Sequence, residues 1–164
     1  MNDEVWPAQE TIKYIIPGTQ YTAGRSLPIT WYDGGRRPSD SIAKLLPGQS
    51  LPGGGSIFVG EKGNLILPHV GMPFVNIEGV TIEPVEGLDH YHGWVDGCLS
   101  GKQPSDGFEY GGHLTEAVQL GNVAAFFPGE TLEFDGKALK ITNNSEANKY
   151  LTRDYRTGFE IASI

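Results

Sequence analysis

Cysteine is nearly missing from this chain: Cys98 is alone among 164 residues. No internal disulfide can form, so burial and hydrogen bonding must hold the fold, and the redox compartment is left open. Cys98 itself reads as a small buried apolar residue. Basic residues are also scarce, with 12 Lys and Arg against 20 Asp and Glu and a formal net charge of -8. Nucleic-acid backbones are held by clustered Lys and Arg; here those residues are scattered, so no nucleic-acid partner is expected. Long apolar runs are missing too. None approaches the ~20 residues that span a bilayer, and the opening Met1-Asn2-Asp3-Glu4 is acidic where a secretion signal is basic. The chain reads as soluble, with no membrane partner and no address of its own, cytoplasmic or exported according to what lies upstream.

Several kinds of chemistry lack their signatures. A dinucleotide site needs a strand, a glycine fingerprint such as G-x-G-x-x-G and a helix whose N-terminus receives the pyrophosphate. No segment has that order. Gly55 and Gly60 with Lys62 imitate a phosphate loop, but the spacer Ser56-Ile57-Phe58-Val59 is strand-like and no helix follows. No G-x-S-x-G elbow supports a serine nucleophile. In Asp89-His90-Tyr91-His92, residues two apart on a helix point in nearly opposite directions, so His90 and His92 cannot chelate one ion there, and Asp89 with His92 supplies only two ligands. No metal site is expected. His90 and His92 remain candidates for lining a substrate cleft at a helix start.

Turn residues are abundant, with 23 Gly and 11 Pro, which favours short elements over long helices. Ile12, Tyr14 and Ile16 alternate within Thr11 to Ile16, and Ile29 with Trp31 within Pro28 to Tyr32, predicting two half-buried strands. Arg36 to Gly55 reads as a surface excursion. Ile57 to Val59 and Leu65 to Leu67 flank Gly60-Glu61-Lys62-Gly63 as a hairpin, and an irregular stretch follows with a strand at Val80 to Ile82. Tyr91, Trp94, Val95, Cys98 and Leu99 form an apolar stripe on a helix that Asp89 caps and Gly101 ends. A second helix is predicted from Leu114 to Phe126, its small residues allowing close packing on a sheet. Leu132 and Phe134, then Leu139 and Ile141, alternate around Asp135-Gly136 as another hairpin. Asn143 with Glu146 reads as a capping box for a short helix, and Tyr155 to Ile161 as a last strand. This order lacks regular β-helix-β alternation. It predicts one α+β domain over residues 1–164, with a largely antiparallel open sheet and helices packed on one face.

Trp31-Tyr32-Asp33-Gly34-Gly35 with Arg37-Pro38 comes first in a series of blocks. Gly60-Glu61-Lys62-Gly63, then His90 with Trp94, then Leu114-Thr115-Glu116 leading to Leu120-Gly121-Asn122-Val123-Ala124 come next. Ile141-Thr142-Asn143 with Glu146-Ala147, and Tyr155-Arg156-Thr157-Gly158-Phe159-Glu160, complete it. In this order the blocks resemble the C-terminal region of Gfo/Idh/MocA oxidoreductases of the bacterial-type subgroup. The resemblance implies a parent enzyme whose N-terminal Rossmann domain binds NAD(P) and moves hydride to or from a sugar or polyol. It implies that this portion supplies substrate contacts and pairs as a homodimer through its sheet face. The fingerprint, the Glu-Lys-Pro lysine and the Asp-x-x-x-His pair of such enzymes have no counterpart here, so no cofactor or catalytic residue is assigned and the chain is expected to be inactive without its Rossmann partner. Tyr32, Asp33, His90 and His92 are the substrate-side candidates. The alternative is a stand-alone carbohydrate-binding module using Trp31 and Tyr32; a carboxylate hydrolase, drawing on Asp33, Asp96, Asp106, Glu109 or Glu116, is a third reading.

Overall fold

The computed structural model describes residues 5–46 and 48–160. Its class is α+β with antiparallel open sheets, as the element order predicts, and the strands divide among three small sheets. The first pairs β1 (Glu10–Pro17) with β2 (Ser26–Asp33). The second joins β3 (Gly55–Val59), β4 (Asn64–Pro68) and β5 (Phe74–Val75). The third is the short hairpin of β6 (Phe134–Asp135) and β7 (Lys140–Ile141). The helices are α1 (Asp40–Ala43), α2 (His90–Ser100) and α3 (Phe108–Ala124), followed by the 3₁₀ turn η1 (Ala147–Tyr150).

Alternation along β1 puts Glu10, Ile12 and Tyr14 on one face, opposite Asp33, Trp31 and Ile29 of β2. α3 crosses this face at Gly121, where a side chain would collide with the Tyr14 hydroxyl and the Ile12 methyl. The small residue expected to permit close packing on a sheet does so here. In the second sheet Ile57 pairs with Ile66, and Ile66 is buried. Asn64 and Asn76 stitch this sheet to the end of α1: each amide donates to the Leu45 carbonyl at 3.2 Å, and the Asn76 Oδ1 accepts from the Asn64 N–H at 2.6 Å. The adjacent Leu46 is only 1% exposed, so the stretch read as a surface excursion is anchored by its one short apolar segment.

The remaining core gathers Val123 of α3, Ile141 of β7 and Ala147 of η1, with Phe127, Leu132, Phe134 and Leu151 packed around it. β7 has one strand neighbour, β6. The Asn148 side chain bonds the Ile141 backbone twice: its Oδ1 accepts from the Ile141 N–H at 2.8 Å, and its amide donates to the Ile141 carbonyl at 2.8 Å and to the Asn144 carbonyl at 3.2 Å. Buried backbone groups are costly to leave unpaired, and one asparagine satisfies both of Ile141's.

Other expectations shift or fail for local reasons. Asp89 caps α2 as expected, accepting from the Tyr91 and His92 N–H groups, and Gly101 ends it at φ 69°. α3 begins at Phe108, a turn and a half before the expected Leu114. The expected capping box does not form: Asn143 is committed to the Glu133 N–H and the Thr131 carbonyl, Asn144 receives the Glu146 and Ala147 N–H groups, and the Glu146 carboxylate pairs with Lys149. No strand forms at Val80–Ile82, where the Val80 N–H instead closes a turn onto Ile77. From Tyr155 to Glu160 the expected strand gives way to a turn closed by Phe159 N–H on Arg156, with the Arg156 guanidinium 3.9 Å from the Phe159 ring centre; Ile161 lies outside the described residues. Cys98 is exposed rather than buried, because no strand among the described residues packs extensively on the apolar stripe of α2.

The accessible surface is 13637 Å². A compact monomer of 17.8 kDa exposes about 8,000 Å² on the usual scaling. Among the side chains left open to water are large apolar ones such as Ile15, Leu99 and Phe108.

Three substitutions test the packing. Gly121→Ala is expected to lower stability by about 1–2 kcal/mol, since overpacking outweighs the helix-propensity gain. Tyr14→Phe in the same chain should recover most of that loss, because the ring carbon itself sits 3.3 Å from the added methyl. Asn148→Ala should cost about 1–3 kcal/mol by orphaning the Ile141 amide. Urea denaturation measures all three.

Candidate functional site

The C-terminal half of α3, the β6–β7 hairpin and η1 frame a groove of about 540 Å³, inside the ~300–1,000 Å³ range of small-molecule sites. Helical spacing brings Glu116, Gln119 and Asn122 of α3 along its wall, and the Asn122 amide donates to Gln119 Oε1 at 3.0 Å. Lys149 enters from η1 and is tethered to Glu146. Aromatic rings supply the rest. Phe126 stacks on Tyr150 with centroids 4.3 Å apart, meets Trp6 edge-on at 6.5 Å, and Phe127 meets Tyr150 edge-on at 5.9 Å. Leu139, on the rim, holds a backbone φ of 48°, alone among the described non-glycine residues in the left-handed region; such a conformation stores about 1–2 kcal/mol. Flat ring faces beside amide, carboxylate and ammonium groups suit a small molecule with apolar C–H faces and many hydroxyls.

A second cavity, of about 70 Å³, lies where α3 crosses β1 and β2, and Asn122 lines it as well as the groove. Antiparallel register places Glu10 directly opposite Asp33, which brings the two side chains to roughly 5 Å at Cβ. Both line the cavity with Tyr14 and Trp31. Glu10 Oε2 is buried without a hydrogen-bond partner. Burial, and then the Asp33 carboxylate, raise the Glu10 pKa above its ordinary 4.5. Burial, and then Glu10, raise that of Tyr14 above 10.0. A pair of carboxylates facing one cleft is the arrangement a glycoside hydrolase needs, but this space holds a few waters and not a sugar ring.

The four residues singled out in the sequence do not converge. Tyr32 lies opposite Thr11, on the face of the hairpin turned away from Asp33. Asp33 faces the small cavity and accepts from the Gly34 N–H at 2.6 Å. His90 and His92 start α2 on an exposed surface and line neither cavity. His92 Nδ1 lies 2.7 Å from Asp89 Oδ2, and the His90 ring rests on Tyr91 at 4.2 Å. The His92 backbone N–H, then its imidazole, pull the Asp89 pKa below 3.8. Of the carboxylates weighed in the sequence, Glu116 reaches the groove. Glu10 had a signal that went unused: a carboxylate on the inward phase of the Ile12-Tyr14 alternation. Trp6, Gln119, Asn122 and Lys149 come together only through the fold.

The Glu10 shift makes a pH prediction. A carboxyl whose folded pKa is raised favours the folded state while protonated, so its contribution is present below about pH 4.5 and lost as pH rises through the higher folded pKa. Glu10→Gln should therefore be more stable than the parent at pH 7, and the two urea midpoints should converge toward pH 4. Parallel midpoint curves across that range would show that Glu10 is solvated in the native state.

No family model, no curated protein and no solved structure matches the chain, so the groove beside α3 and the Glu10–Asp33 pair stand on their own chemistry.

Proposed function

We propose that this chain is the substrate-side domain of an NAD(P)-dependent sugar or polyol oxidoreductase of the Gfo/Idh/MocA type. In this reading it holds the polyhydroxylated substrate and pairs with a second copy, while a separate Rossmann domain grips the cofactor. The open surface carries the reading. An accessible surface of 13637 Å² against about 8,000 Å² for a compact monomer, with large apolar side chains among the exposed ones, supports a domain that other protein covers over a stand-alone carbohydrate-binding module. The ordered sequence blocks name the kind of protein that would cover it.

The helix starts of this chain do not fit a dinucleotide. A pyrophosphate requires free N–H groups and positive potential at a helix N-terminus. The N-terminus of α2 is already occupied by the Asp89 carboxylate, and the first turns of α1 and α3 carry Asp40 and Glu109. No step of hydride transfer is assigned to these residues. Their part is to bind and orient. The groove suits that part better than the four residues picked from the sequence, because it combines adequate volume with convergent polar groups, whereas those four do not converge. Phe126, Tyr150 and Trp6 offer ring faces to the substrate's C–H groups; Glu116, Gln119, Asn122 and Lys149 offer partners for its hydroxyls.

Titration with glucose, sorbitol and inositol, followed by tryptophan fluorescence, tests this. Binding on the order of millimolar is expected, as befits a half-site with few contacts. Gln119→Ala and Asn122→Ala should each weaken it at least fivefold, and Trp6→Phe should remove most of the signal. Calorimetry with NADH should show no heat of binding. Micromolar NADH binding by the chain, or sugar binding indifferent to Gln119 and Asn122, would sink the reading.

A further inference from the structure

One charged group of the groove beside α3 has no counterpart. Glu116 is half-buried in the middle of α3 and lines the groove, yet no hydrogen bond or ion pair among the described residues holds its carboxylate. Its own helix offers no relief, since α3 carries no Lys or Arg over Phe108–Ala124. At helical spacing it has His113 three residues before it and Gln119 three after, and Gln119 is engaged with Asn122 at 3.0 Å. Lys149 is the other charged residue of the lining, and its ammonium is bound to Glu146, which is not among the lining residues. Glu116, Lys149 and Glu146 together carry one net negative charge, and it resides on Glu116.

The rings that share the groove with Glu116 are of the kind that attract cations. Trp6 meets Phe126 at 68°, which sets two ring planes at a corner, and Tyr150 stacks on Phe126 at 22°. Trp6 is 64% exposed and Tyr150 43%, so ring surface is left for a ligand. An aromatic face is the negative pole of its ring, and Trp holds a cation there best. The chain uses this attraction elsewhere: Arg153 lies over Tyr155 at 5.5 Å and Arg156 over Phe159 at 3.9 Å. Among the described residues no cation covers Trp6, Phe126 or Tyr150 in that way.

We propose that the groove takes a protonated amine, its ligand being an amine-bearing sugar or polyol whose ammonium pairs with Glu116 against the ring faces. The inference rests on the sugar-side reading above and narrows its substrate class. A neutral sugar leaves the Glu116 charge uncompensated in a half-buried place, which is costly. An acidic sugar is repelled by Glu116 and finds Lys149 already committed to Glu146. An ammonium answers both features at once, as a charge-assisted hydrogen-bond donor to the carboxylate and as a cation on the rings. The hydroxyls of the same molecule fall to Gln119 and Asn122. A bare organic ammonium meets Glu116 and the rings but leaves those two amides unanswered. The field of the whole chain acts in the same direction, since a net charge of -8 draws cations to the surface and turns anions away.

Titrations of the full chain with glucosamine, glucose and choline, followed by tryptophan fluorescence at about pH 6.5 where such an amine is protonated, test the proposal. Glucosamine should bind about fivefold more tightly than glucose, the size expected of a partly solvated ion pair with a cation–ring contact. Choline should bind more weakly than glucosamine. Glu116→Gln keeps the side chain's length and removes its charge, so the glucosamine affinity should fall far more than the glucose affinity and bring the two sugars within about a factor of two of each other. Near-ultraviolet circular dichroism checks that the variant keeps its fold. High salt gives a second readout in the unaltered chain: it should shrink the glucosamine preference and leave glucose binding in place. Equal binding of the two sugars by the parent, or a preference that survives both salt and Glu116→Gln, overturns the ammonium site while the sugar-side reading stands. Choline bound as tightly as glucosamine, with no response to glucose, overturns the polyhydroxylated ligand and the sugar-side reading with it. No response to either sugar overturns both.

Discussion

The Asn148 side chain, paired to both backbone groups of Ile141, is the contact on which the C-terminal hairpin and its small core depend. A hairpin of two-residue strands has too few ladder bonds to persist alone. Asn148 stands in for the strand that β7 lacks, and the next bonds follow from it. Asn144 accepts from the Glu146 and Ala147 N–H groups at the entry to η1, Asn143 bonds the Glu133 N–H and the Thr131 carbonyl across the hairpin, and Ala147 packs with Val123 and Ile141. With the hairpin fixed against α3, the ring pair Phe126–Tyr150 closes and the groove has a floor. Three asparagines in one segment are thus an architectural device, distinct from the solvated polar run that their composition suggests.

The other end of α3 is governed by a close approach. Gly121 lets the helix come down onto Tyr14 and Ile12, and that descent desolvates Glu10 opposite Asp33. The strained electrostatics of the small cavity therefore follow from packing, and need no catalytic purpose to account for them. Asn122 lines both cavities, and its amide donates to Gln119 one helical turn away.

Elements whose signals are local were legible in the sequence. Asp89 and Gly101 bound α2 because a cap depends on residues within one turn. The hairpin at Gly60–Gly63 follows from alternation and a short connection. The α+β class follows from the order of such pieces. Signals that need a distant partner were not legible. Val80–Ile82 and Tyr155–Glu160 have strand-like composition, yet a strand exists only where another edge accepts its hydrogen bonds, and the near turns onto Ile77 and Arg156 took those bonds first. The groove is assembled from Trp6, the middle of α3 and the segment from Phe134 to Thr152, and no spacing rule joins residues so far apart. The stripe on α2 was read correctly as apolar and wrongly as buried, because periodicity specifies which face is to be covered and is silent about what covers it.

That distinction bears on how the chain works. A domain that closed all its apolar faces upon itself would approach 8,000 Å² of surface and leave only a groove for function. This one gathers Val123, Ile141 and Ala147 into a small core, buries Leu46 and Ile66 besides, and leaves the apolar stripe of α2 open. Covering that surface would bring a favourable apolar term, much of which association consumes in lost freedom and side-chain ordering. The segment around Asn148 frames the groove, and the open stripe of α2 lies on other residues.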